Sequence, residues 1–370
     1  MSAPVAVPPS NGKTVVVSGI NGYIASVTGL EALRKGYTLV GTCRSRAKAE
    51  PLLKGAYAEF ADAGRVRIVE VVDMTKEGAF DEAVKGAHAI IHTASPIDFT
   101  LKTPSQVISP AIAGTVGILH SALRHAGPQL SALAVTSSVA AIASPKPDGS
   151  SYTFTEEDWN NYAEKQVEEA GGVDIPPNIL YGASKTAAER AIWAFREKEK
   201  ASTLCRSVSP RALNPTVVYG PPIISHSDPA SLNETIKPIY AIFSGTITDG
   251  ELPAKIGTGA YVDVRDVAAA HVWAIENPAA SDGQRYIVAA GLGPPQAIAD
   301  LIREVYPERG PSIPLGNPGE GYVKGEYGWF PAEAGGIALS AKKLEEAMGI
   351  KWIKFDKCIL DTVKCLEKYL

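Results

Sequence analysis

The sequence has few cysteines, no long apolar run and no recognisable targeting segment. Its four cysteines, Cys43, Cys205, Cys358 and Cys365, show no C-x-x-C spacing, which is typical of free thiols in a reducing compartment. No stretch of about 18 apolar residues, the length that spans a bilayer, is present. The first residues contain neither the basic nor the hydrophobic part of a secretory signal. We therefore predict a cytoplasmic protein that does not bind a membrane.

Charge of one sign is also scarce, because 36 basic and 40 acidic residues give a formal net charge of −4. The basic residues are scattered, so we predict no nucleic-acid partner. His88 and His92 lie in an apolar stretch that favours a strand, where an i,i+4 spacing does not bring side chains together. We therefore predict no metal site. The rest of the composition, with 45% hydrophobic residues, is that of an ordinary globular protein.

A β-branched run at Val15–Val17 precedes two glycines and a stretch rich in Ala and Leu, which predicts strand, turn and helix. Gly19 allows a sharp turn, Gly22 lets backbone approach a pyrophosphate, and Ala25 permits close helix packing. Phosphates would bind at the N-terminus of this helix. The predicted cofactor-binding residues here are Gly19, Ile20, Asn21, Gly22, Tyr23 and Ile24. Because the spacing is G-x-x-G-x-x-A, a tight turn without a ligand is the alternative.

The end of the second predicted strand, Tyr37–Cys43, indicates which cofactor binds. In a dinucleotide fold this strand end meets the adenosine ribose, and an acid there favours NAD. Here Arg44 and Lys48 follow the strand, with no carboxylate before Glu50. Guanidinium and ammonium groups bind a 2′-phosphate, so we predict NADPH/NADP+ as the cofactor. A solvated basic loop is the alternative.

The next segments continue the alternation of strands and helices. A third strand over 66–72 ends in Asp73 and Met74, which could contact adenine, although Asp73 could instead cap a helix over 77–85. A fourth strand over 87–92 ends in the small residues Thr93, Ala94 and Ser95, against which a cofactor could lie. A helix over 110–125 and a fifth strand over 133–138 follow. This order predicts an α/β fold with a Rossmann-type doubly wound parallel sheet.

Tyr181 and Lys185 open a predicted helix that runs to about residue 199. On a helix, i and i+4 lie on one face about 6 Å apart. A cation next to a phenol favours the phenolate, which suits a tyrosine for proton transfer near neutral pH. The fifth strand delivers serine hydroxyls at its carboxyl end, where such sheets bind ligands. Together these features indicate one catalytic site.

These residues make the chain similar to extended short-chain dehydrogenases/reductases. Within them it resembles the fungal NADPH-dependent carbonyl reductases of methylglyoxal/isovaleraldehyde type, related to dihydroflavonol reductase. The similarity covers about residues 13–290. The motifs that carry it are Val17–Ala25, Gly41–Ser45, Asp73–Met74, Thr136–Ser138, Tyr181–Lys185, Asn214–Pro221 and Tyr261–Ala268.

The resemblance implies hydride transfer from NADPH to a bound ketone or aldehyde. Tyr181 would act as general acid, Ser138 would polarise the carbonyl, and Lys185 would tune Tyr181 and bind the nicotinamide ribose. Many members also carry an Asn-x-x-Gly-Thr helix whose Asn completes a catalytic tetrad. This chain has Ala111 at that position, so the family's Asn relay is not implied here, as in other reductases of the subgroup.

The resemblance also implies further binding residues and a domain division. Ser137, Pro215 and Val218 would contact the cofactor. An NADP-binding Rossmann domain is predicted over 13–220, returning at about 260–290. Residues 221–259 and 291–345 would form a smaller, mixed substrate-binding lid with a short helix over about 232–243, and 346–370 a C-terminal helix. Apolar residues predict a pocket for bulky or aromatic carbonyls, namely Phe99, Ala140, Ile142, Tyr219 and Ile223.

Three functions are compatible with the sequence. The favoured one is an NADPH-dependent carbonyl reductase whose partner is a small carbonyl compound, in a monomer or homodimer. A sugar-nucleotide epimerase or dehydratase shares the glycine turn, Tyr and Lys but retains NAD, which the basic segment at Arg44 disfavours. A non-catalytic NADP-binding module would not need Ser138, Tyr181 and Lys185 together.

Overall fold

The computed structural model describes residues 7–95, 101–146, 150–171, 174–199, 210–325 and 337–370. Short, mostly buried segments form its strands. They are β1 (Thr14–Ser18), β2 (Thr38–Cys43), β3 (Val66–Glu70), β4 (Ala89–His92), β5 (Ala132–Thr136), β6 (Tyr152–Phe154), β7 (Pro210–Pro215), β8 (Val217–Tyr219), β9 (Ala260–Asp263), β10 (Arg285–Val288), β11 (Gly291–Leu292) and β12 (Ile337–Leu339).

The main sheet has the order β10-β7-β5-β4-β1-β2-β3, and its pairs from β7 to β3 are parallel. At its centre Val16 pairs with Val40 on one side and with Ile90 on the other, and all three side chains are buried. The strand succession reverses between β1 and β4, which is where doubly wound sheets bind ligands. The predicted Rossmann-type α/β fold is thus confirmed.

Helices connect these strands. They are α1 (Tyr23–Arg34), α2 (Glu50–Leu53), α3 (Ala58–Asp62), α4 (Asp81–Val84), α5 (Pro104–His125), α6 (Asn161–Glu169), α7 (Pro177–Glu199), α8 (Lys237–Ser244), α9 (Val264–Glu276), α10 (Pro278–Ser281), α11 (Pro295–Val305), α12 (Lys342–Met348) and α13 (Phe355–Leu366). The structure also contains short 3-10 helices, namely Arg46–Ala49, Val139–Ala141, Pro229–Ser231, Asp249–Glu251, Pro307–Ser312 and Glu367–Tyr369.

Several helix bounds differ from the predicted ones. The helix predicted over 77–85 is only α4, because Gly78 has a φ of +72°, which no helix contains. Both α5 and α7 begin earlier than predicted, with Pro104 and Pro177 in their first turns, where the missing N–H of proline costs nothing. The helix predicted over 232–243 is the shorter α8.

Among the described helices, α5 alone is long and apolar enough to cross a membrane by length and composition. Its residues Ile118, Leu119 and Ala122 are buried in the core, and α7 packs along it. The core helix of a soluble protein passes the same test. We therefore assign α5 to the core of the nucleotide-binding fold.

The described residues divide into two compact units. Unit 1 comprises those within Met1–Pro145, Glu156–Asn214 and Ala268–Tyr286, and unit 2 those within Lys146–Thr155, Pro215–Val267 and Ile287–Leu370. Unit 2 contains a mixed sheet of order β11-β9-β8, in which β8 and β9 are parallel and β11 is antiparallel. A separate parallel pair in unit 2 joins β6 to β12.

A cluster of acidic residues in unit 2 is held by hydrogen bonds and ion pairs. Arg265 donates to both oxygens of the fully buried Asp263 and to Asp361 on α13. Asp266 is also buried and accepts from the backbone N–H of Ile353 at 2.9 Å. Burial, opposed by that hydrogen bond, raises the pKa of Asp266 to about 7.

The shifted pKa of Asp266 predicts that Asp266→Asn stabilises the protein at high pH. The folded state holds a proton that the unfolded state, with a carboxyl pKa of about 3.9, releases. Wild-type stability therefore falls as pH rises from about 4 to 7, by about 1.4 kcal/mol per pH unit at most. We expect the variant's Tm to exceed the wild-type Tm at pH 8 by on the order of 5 °C, with the difference vanishing near pH 4.

Asp361→Asn is the matched control, because it neutralises another carboxylate of this cluster, one that accepts a hydrogen bond from Arg265. Burial opposes ionisation of Asp361, but hydrogen bonds from Lys357 and Arg265 lower its pKa. Its stabilising contribution is present at neutral pH and lost on acidification, so this variant should lower the Tm at pH 8. Thermal melts of both variants between pH 4 and 8 measure the two signs. A lower Tm for both variants at pH 8 would contradict the raised pKa of Asp266.

Candidate functional site

The turn between β1 and α1 lies close to the loop that follows β4. Gly19 has a φ of +68°, and a Cβ there would lie 3.2 Å from the Cα of Ala94, in the loop after β4. Gly22 is the N-cap of α1, and a Cβ there would lie 3.0 Å from the carbonyl oxygen of Gly19. Gly19 therefore combines a backbone conformation that favours glycine with a close approach to Ala94, and a side chain at position 22 would crowd the turn. Ala25 is buried as predicted.

The N-terminus of α1 has neither a side-chain cap nor an acidic residue of its own. Gly22 offers no side-chain oxygen to cap the helix, and the first turn contains no acidic residue. The positive end of the helix dipole is thus left for an anion from outside the helix. Ile20 is buried and anchored to β2 through its N–H, which donates to the carbonyl oxygen of Thr42 at 2.7 Å. Asn21, Tyr23 and Ile24 are half-buried in the same turn.

The basic segment after β2 is exposed in unit 1. Arg44 and Lys48 are both exposed, and the backbone N–H of Arg46 donates to Glu70 Oε1 at 2.6 Å. Glu70 lies opposite Cys43 in the β2–β3 ladder, so this bond fixes the segment against the sheet edge. The structure therefore presents guanidinium and ammonium groups beside the strand end that meets a ribose in this fold.

Asp73 forms a turn rather than a helix cap. Its Oδ1 accepts from Thr75 N at 2.9 Å and from Thr75 Oγ1 at 2.6 Å, which lowers the pKa of Asp73. No helix begins there, so the interpretation as an N-cap is wrong. Met74 packs on α5, where Gly114 makes room for its side chain. A Cβ on Gly114 would clash with Met74 Cε.

Sequence reasoning missed a role for Ser18 and His92. Ser18 Oγ accepts from the backbone N–H groups of Thr93 and Ala94, each at 3.0 Å, and contacts His92 Nδ1 at 2.8 Å. With both acceptor positions used, the hydroxyl donates to Nδ1. Burial first, and the charge of Lys185 second, lower the pKa of His92 to about 3. A neutral His92 thus orients Ser18, which in turn holds the backbone of Thr93 and Ala94. Ser95, the next residue, is half-buried.

Ser138 lies directly after β5, at the start of the Val139–Ala141 turn. Its Oγ accepts from the N–H of Ala140 at 3.1 Å, and the residue is 7% exposed. A hydroxyl that accepts in this way keeps its own hydrogen for donation. The bond from Ala140 therefore leaves the hydroxyl hydrogen of Ser138 unused.

Tyr181 and Lys185 lie on α7 as the spacing predicted, although Tyr181 is in the second turn. Lys185 Nζ is 5.8 Å from the centroid of the Tyr181 ring. Lys185 is buried and Tyr181 half-buried. Gly182 lets α7 pack closely on the start of α6, since a Cβ there would lie 3.0 Å from Asn160 Nδ2 and 3.2 Å from the Cβ of Ala163. Unit 1 thus contains all three predicted catalytic residues.

The other predicted contacts remain predictions. Ala111 is buried on α5, and its methyl group cannot replace an amide relay. In unit 1, Ser137 directly precedes Ser138 and Ala140 follows it by two residues, whereas Ile142 is fully buried. In unit 2 the side chains of Pro215, Val218 and Tyr219 are buried and Ile223 is half-buried. Phe99 and Cys205 lie outside the described residues.

Comparison with known proteins gives matches along almost the whole chain. The NAD dependent epimerase/dehydratase family matches residues 15–289. The putative NADPH-dependent methylglyoxal reductase of Candida albicans is 33% identical over 364 residues, covering 96% of this chain and 98% of that protein. The NADPH-dependent methylglyoxal reductase of Saccharomyces cerevisiae is 30% identical over 362 residues, covering 96% and 98%. The crystal structure of yeast methylglyoxal/isovaleraldehyde reductase complexed with NADPH has a TM-score of 0.80 and 28% identity, covering 96% and 98%.

Proposed function

This chain belongs to the NAD dependent epimerase/dehydratase family, as an extended short-chain dehydrogenase/reductase, and we propose that it reduces ketones and aldehydes to alcohols with NADPH. One observation carries the proposal. A hydroxyl with a free hydrogen on Ser138 and the Tyr181–Lys185 pair occur together in unit 1 of a chain that matches NADPH-dependent reductases over nearly its full length.

The residues around β1, β2 and β4 would hold the cofactor. The glycine turn and the N-terminus of α1 would bind the pyrophosphate, and Arg44 and Lys48 the 2′-phosphate. Other proposed contacts are Asp73, Met74, Thr93, Ala94, Ser95, Ser137, Pro215 and Val218. When bound, NADPH supplies the hydride that reduces the carbonyl carbon.

Three side chains then act on the carbonyl oxygen and its proton. Ser138 donates a hydrogen bond to that oxygen and stabilises the negative charge that develops on it. Tyr181 transfers its phenolic proton to the nascent alkoxide. Lys185 stabilises the phenolate that remains and binds the nicotinamide ribose. With Ala111 in place of Asn, Tyr181 regains its proton without the family's amide relay.

The substrate that we propose is a small, uncharged carbonyl compound. Relatives named for methylglyoxal and isovaleraldehyde support this class. The residues that we propose for the substrate pocket are Phe99, Ala140, Ile142, Tyr219 and Ile223, and such a set would also admit bulky or aromatic carbonyls. We propose that the protein acts in the cytoplasm, as a monomer or homodimer.

The decisive experiment follows NADPH absorbance with the purified protein. Methylglyoxal, isovaleraldehyde and an aromatic keto ester are compared with charged sugar-phosphate carbonyls, each with NADPH and with NADH. We expect turnover of the uncharged carbonyls with NADPH and weak turnover with NADH. Tightly bound NAD in the purified protein, with no carbonyl reduced, would support the epimerase alternative instead.

Arg44→Ala should weaken NADPH use specifically. Loss of a charge-assisted contact with the 2′-phosphate is worth roughly 1.5–3 kcal/mol, so kcat/KM for NADPH should fall about 10- to 100-fold. The value for NADH, which lacks that phosphate, should change little. Arg67→Ala, which removes an exposed arginine on β3, is the control and should leave both values unchanged. Equal losses with both cofactors would exclude a 2′-phosphate contact of Arg44.

A further inference from the structure

A buried carboxylate on α7 holds the backbone that carries Ser138. Glu189 is 1% exposed and lies one turn after Lys185. Its Oε2 accepts from Ser137 Oγ and from Asn214 Nδ2, the latter at 2.7 Å. The same Asn214 Nδ2 donates its other hydrogen to the carbonyl oxygen of Ser138 at 3.1 Å. Ser137 and Ser138 are thus both tied to Glu189, one directly and one through a single amide group.

Arg285 completes this network from the neighbouring edge strand. Its Nε donates to Glu189 Oε1, and its Nη1 donates to the carbonyl oxygens of Glu156 and Asp158, the second at 2.7 Å. Its Cζ lies 3.8 Å from the ring centroid of Trp159, in cation–π contact. The guanidinium therefore joins the carboxylate on α7 to the segment that leads into α6.

The segment that leads into α6 is hydrogen-bonded to the turn that follows Ser138. Asn160, which follows Trp159, donates from its backbone N–H to the carbonyl oxygen of Ala141 at 2.9 Å. Its Nδ2 donates to the carbonyl oxygen of Ala140 at 2.8 Å. The turn after Ser138 is therefore anchored through the residues that Arg285 holds, while the residues at 137 and 138 are anchored through Glu189.

We propose that the Glu189–Arg285 ion pair consists of positioning residues that hold the Ser138 hydroxyl in register with Tyr181. The inference rests on the proposed function, because it concerns the serine that acts on the carbonyl oxygen. Neither residue touches the reacting atoms in this role. Donors to a developing oxyanion must be held within about 0.5 Å, and a shift of about 1 Å can cost as much as 100-fold in rate. An ion pair that restrains the backbone before and after the Ser138 side chain provides this positioning.

Glu189→Gln tests the pair with little change in shape. It leaves Arg285 without its carboxylate and turns an amide NH2 or a neutral oxygen toward the guanidinium. We expect kcat per NADPH-binding site to fall about 10- to 30-fold, with the Kd of NADPH within about twofold of wild type. Because the lost interaction acts in the transition state, kcat and kcat/KM should fall together.

A double-mutant cycle with Ser138→Ala separates positioning from general stability. If Glu189 acts through Ser138, Glu189→Gln causes little further loss of kcat once the Ser138 hydroxyl is gone. Asp282→Asn is the matched control, since it deprives the fully buried Arg211 of a carboxylate at 3.6 Å. It should lower the Tm while kcat per NADPH-binding site stays at the wild-type value. Asn214→Ala provides a second route, with a loss in kcat of the same direction, should Glu189→Gln not fold.

The outcomes distinguish this inference from the proposed function. Wild-type turnover with unchanged kcat per site in Glu189→Gln and Asn214→Ala would overturn the positioning role. Multiplicative losses in the double variant would overturn it as well, since independent effects multiply. A wild-type protein that reduces none of the carbonyls would overturn the proposed function, and the positioning role with it.

Discussion

Tyr181→Phe should lower kcat for carbonyl reduction by about 10²- to 10⁴-fold, the range that a positioned general acid contributes. The ring stays in place on α7, where Lys185 Nζ lies 5.8 Å from its centroid. Only the phenolic hydroxyl group is removed, so the nascent alkoxide must take its proton from a poorer donor. NADPH binding, measured by fluorescence titration, should remain because the glycine turn and Arg44 are untouched.

Tyr162→Phe is the matched control, as it removes a phenol from half-buried Tyr162 on α6 of the same unit. It should keep wild-type kcat. If Tyr181→Phe also kept it, proton donation would have to come from another group. If Tyr181→Phe also lost NADPH binding, the main role of the Tyr181 phenol would be to bind the cofactor.

Ser138→Ala should lower kcat by about 10²- to 10³-fold, the loss measured for removal of one donor to a developing oxyanion. The hydroxyl oxygen already accepts from Ala140 N, so its hydrogen is left for the carbonyl oxygen. Since this bond strengthens as charge develops, kcat and kcat/KM should fall by similar factors. Steady-state kinetics with methylglyoxal and saturating NADPH measure both.

Ser131→Ala, just before the other end of β5, controls for loss of a serine hydroxyl. That hydroxyl is exposed and donates to the carbonyl oxygen of His88. Activity should be unchanged. A Ser138→Ala variant with a raised KM and a normal kcat would show that the hydroxyl binds substrate and transition state equally well.

The sequence predicted the parts of the site that depend on local pattern. Gly19 and Gly22 predicted the turn, because glycine adopts a positive φ and allows a close backbone approach. The i,i+4 spacing predicted that Tyr181 and Lys185 lie on one face of a helix, because helix geometry fixes this relation. The parallel sheet followed from alternating strand and helix signals, although Pro104 and Pro177 moved two helix starts.

The rest depends on contacts between distant segments, for which the sequence carries no periodic signal. Glu189 and Arg285 meet only because β10 lies at the end of the folded sheet. Ser18 and His92 meet because β1 and β4 are neighbours with Ser18 opposite His92. A carboxylate within a helix stretch rich in alanine and other apolar residues was the available sequence signal for Glu189. The predicted domain division and the substrate pocket stay predictions, since both depend on how loops from separate segments are placed.

The pairing of β6 with β12 has a consequence for synthesis of the chain. Tyr152 aligns with Ile337, so nearly half of the polypeptide emerges from the ribosome between the two strands. Strands β1 to β5 can pair with one another early, because they all lie before residue 137. Pairing across a long separation is slow, and an unpaired strand edge invites aggregation. Completion of the β6–β12 pair must therefore wait until β12 has been synthesised, and a nascent chain that ends before residue 337 lacks the partner strand of β6.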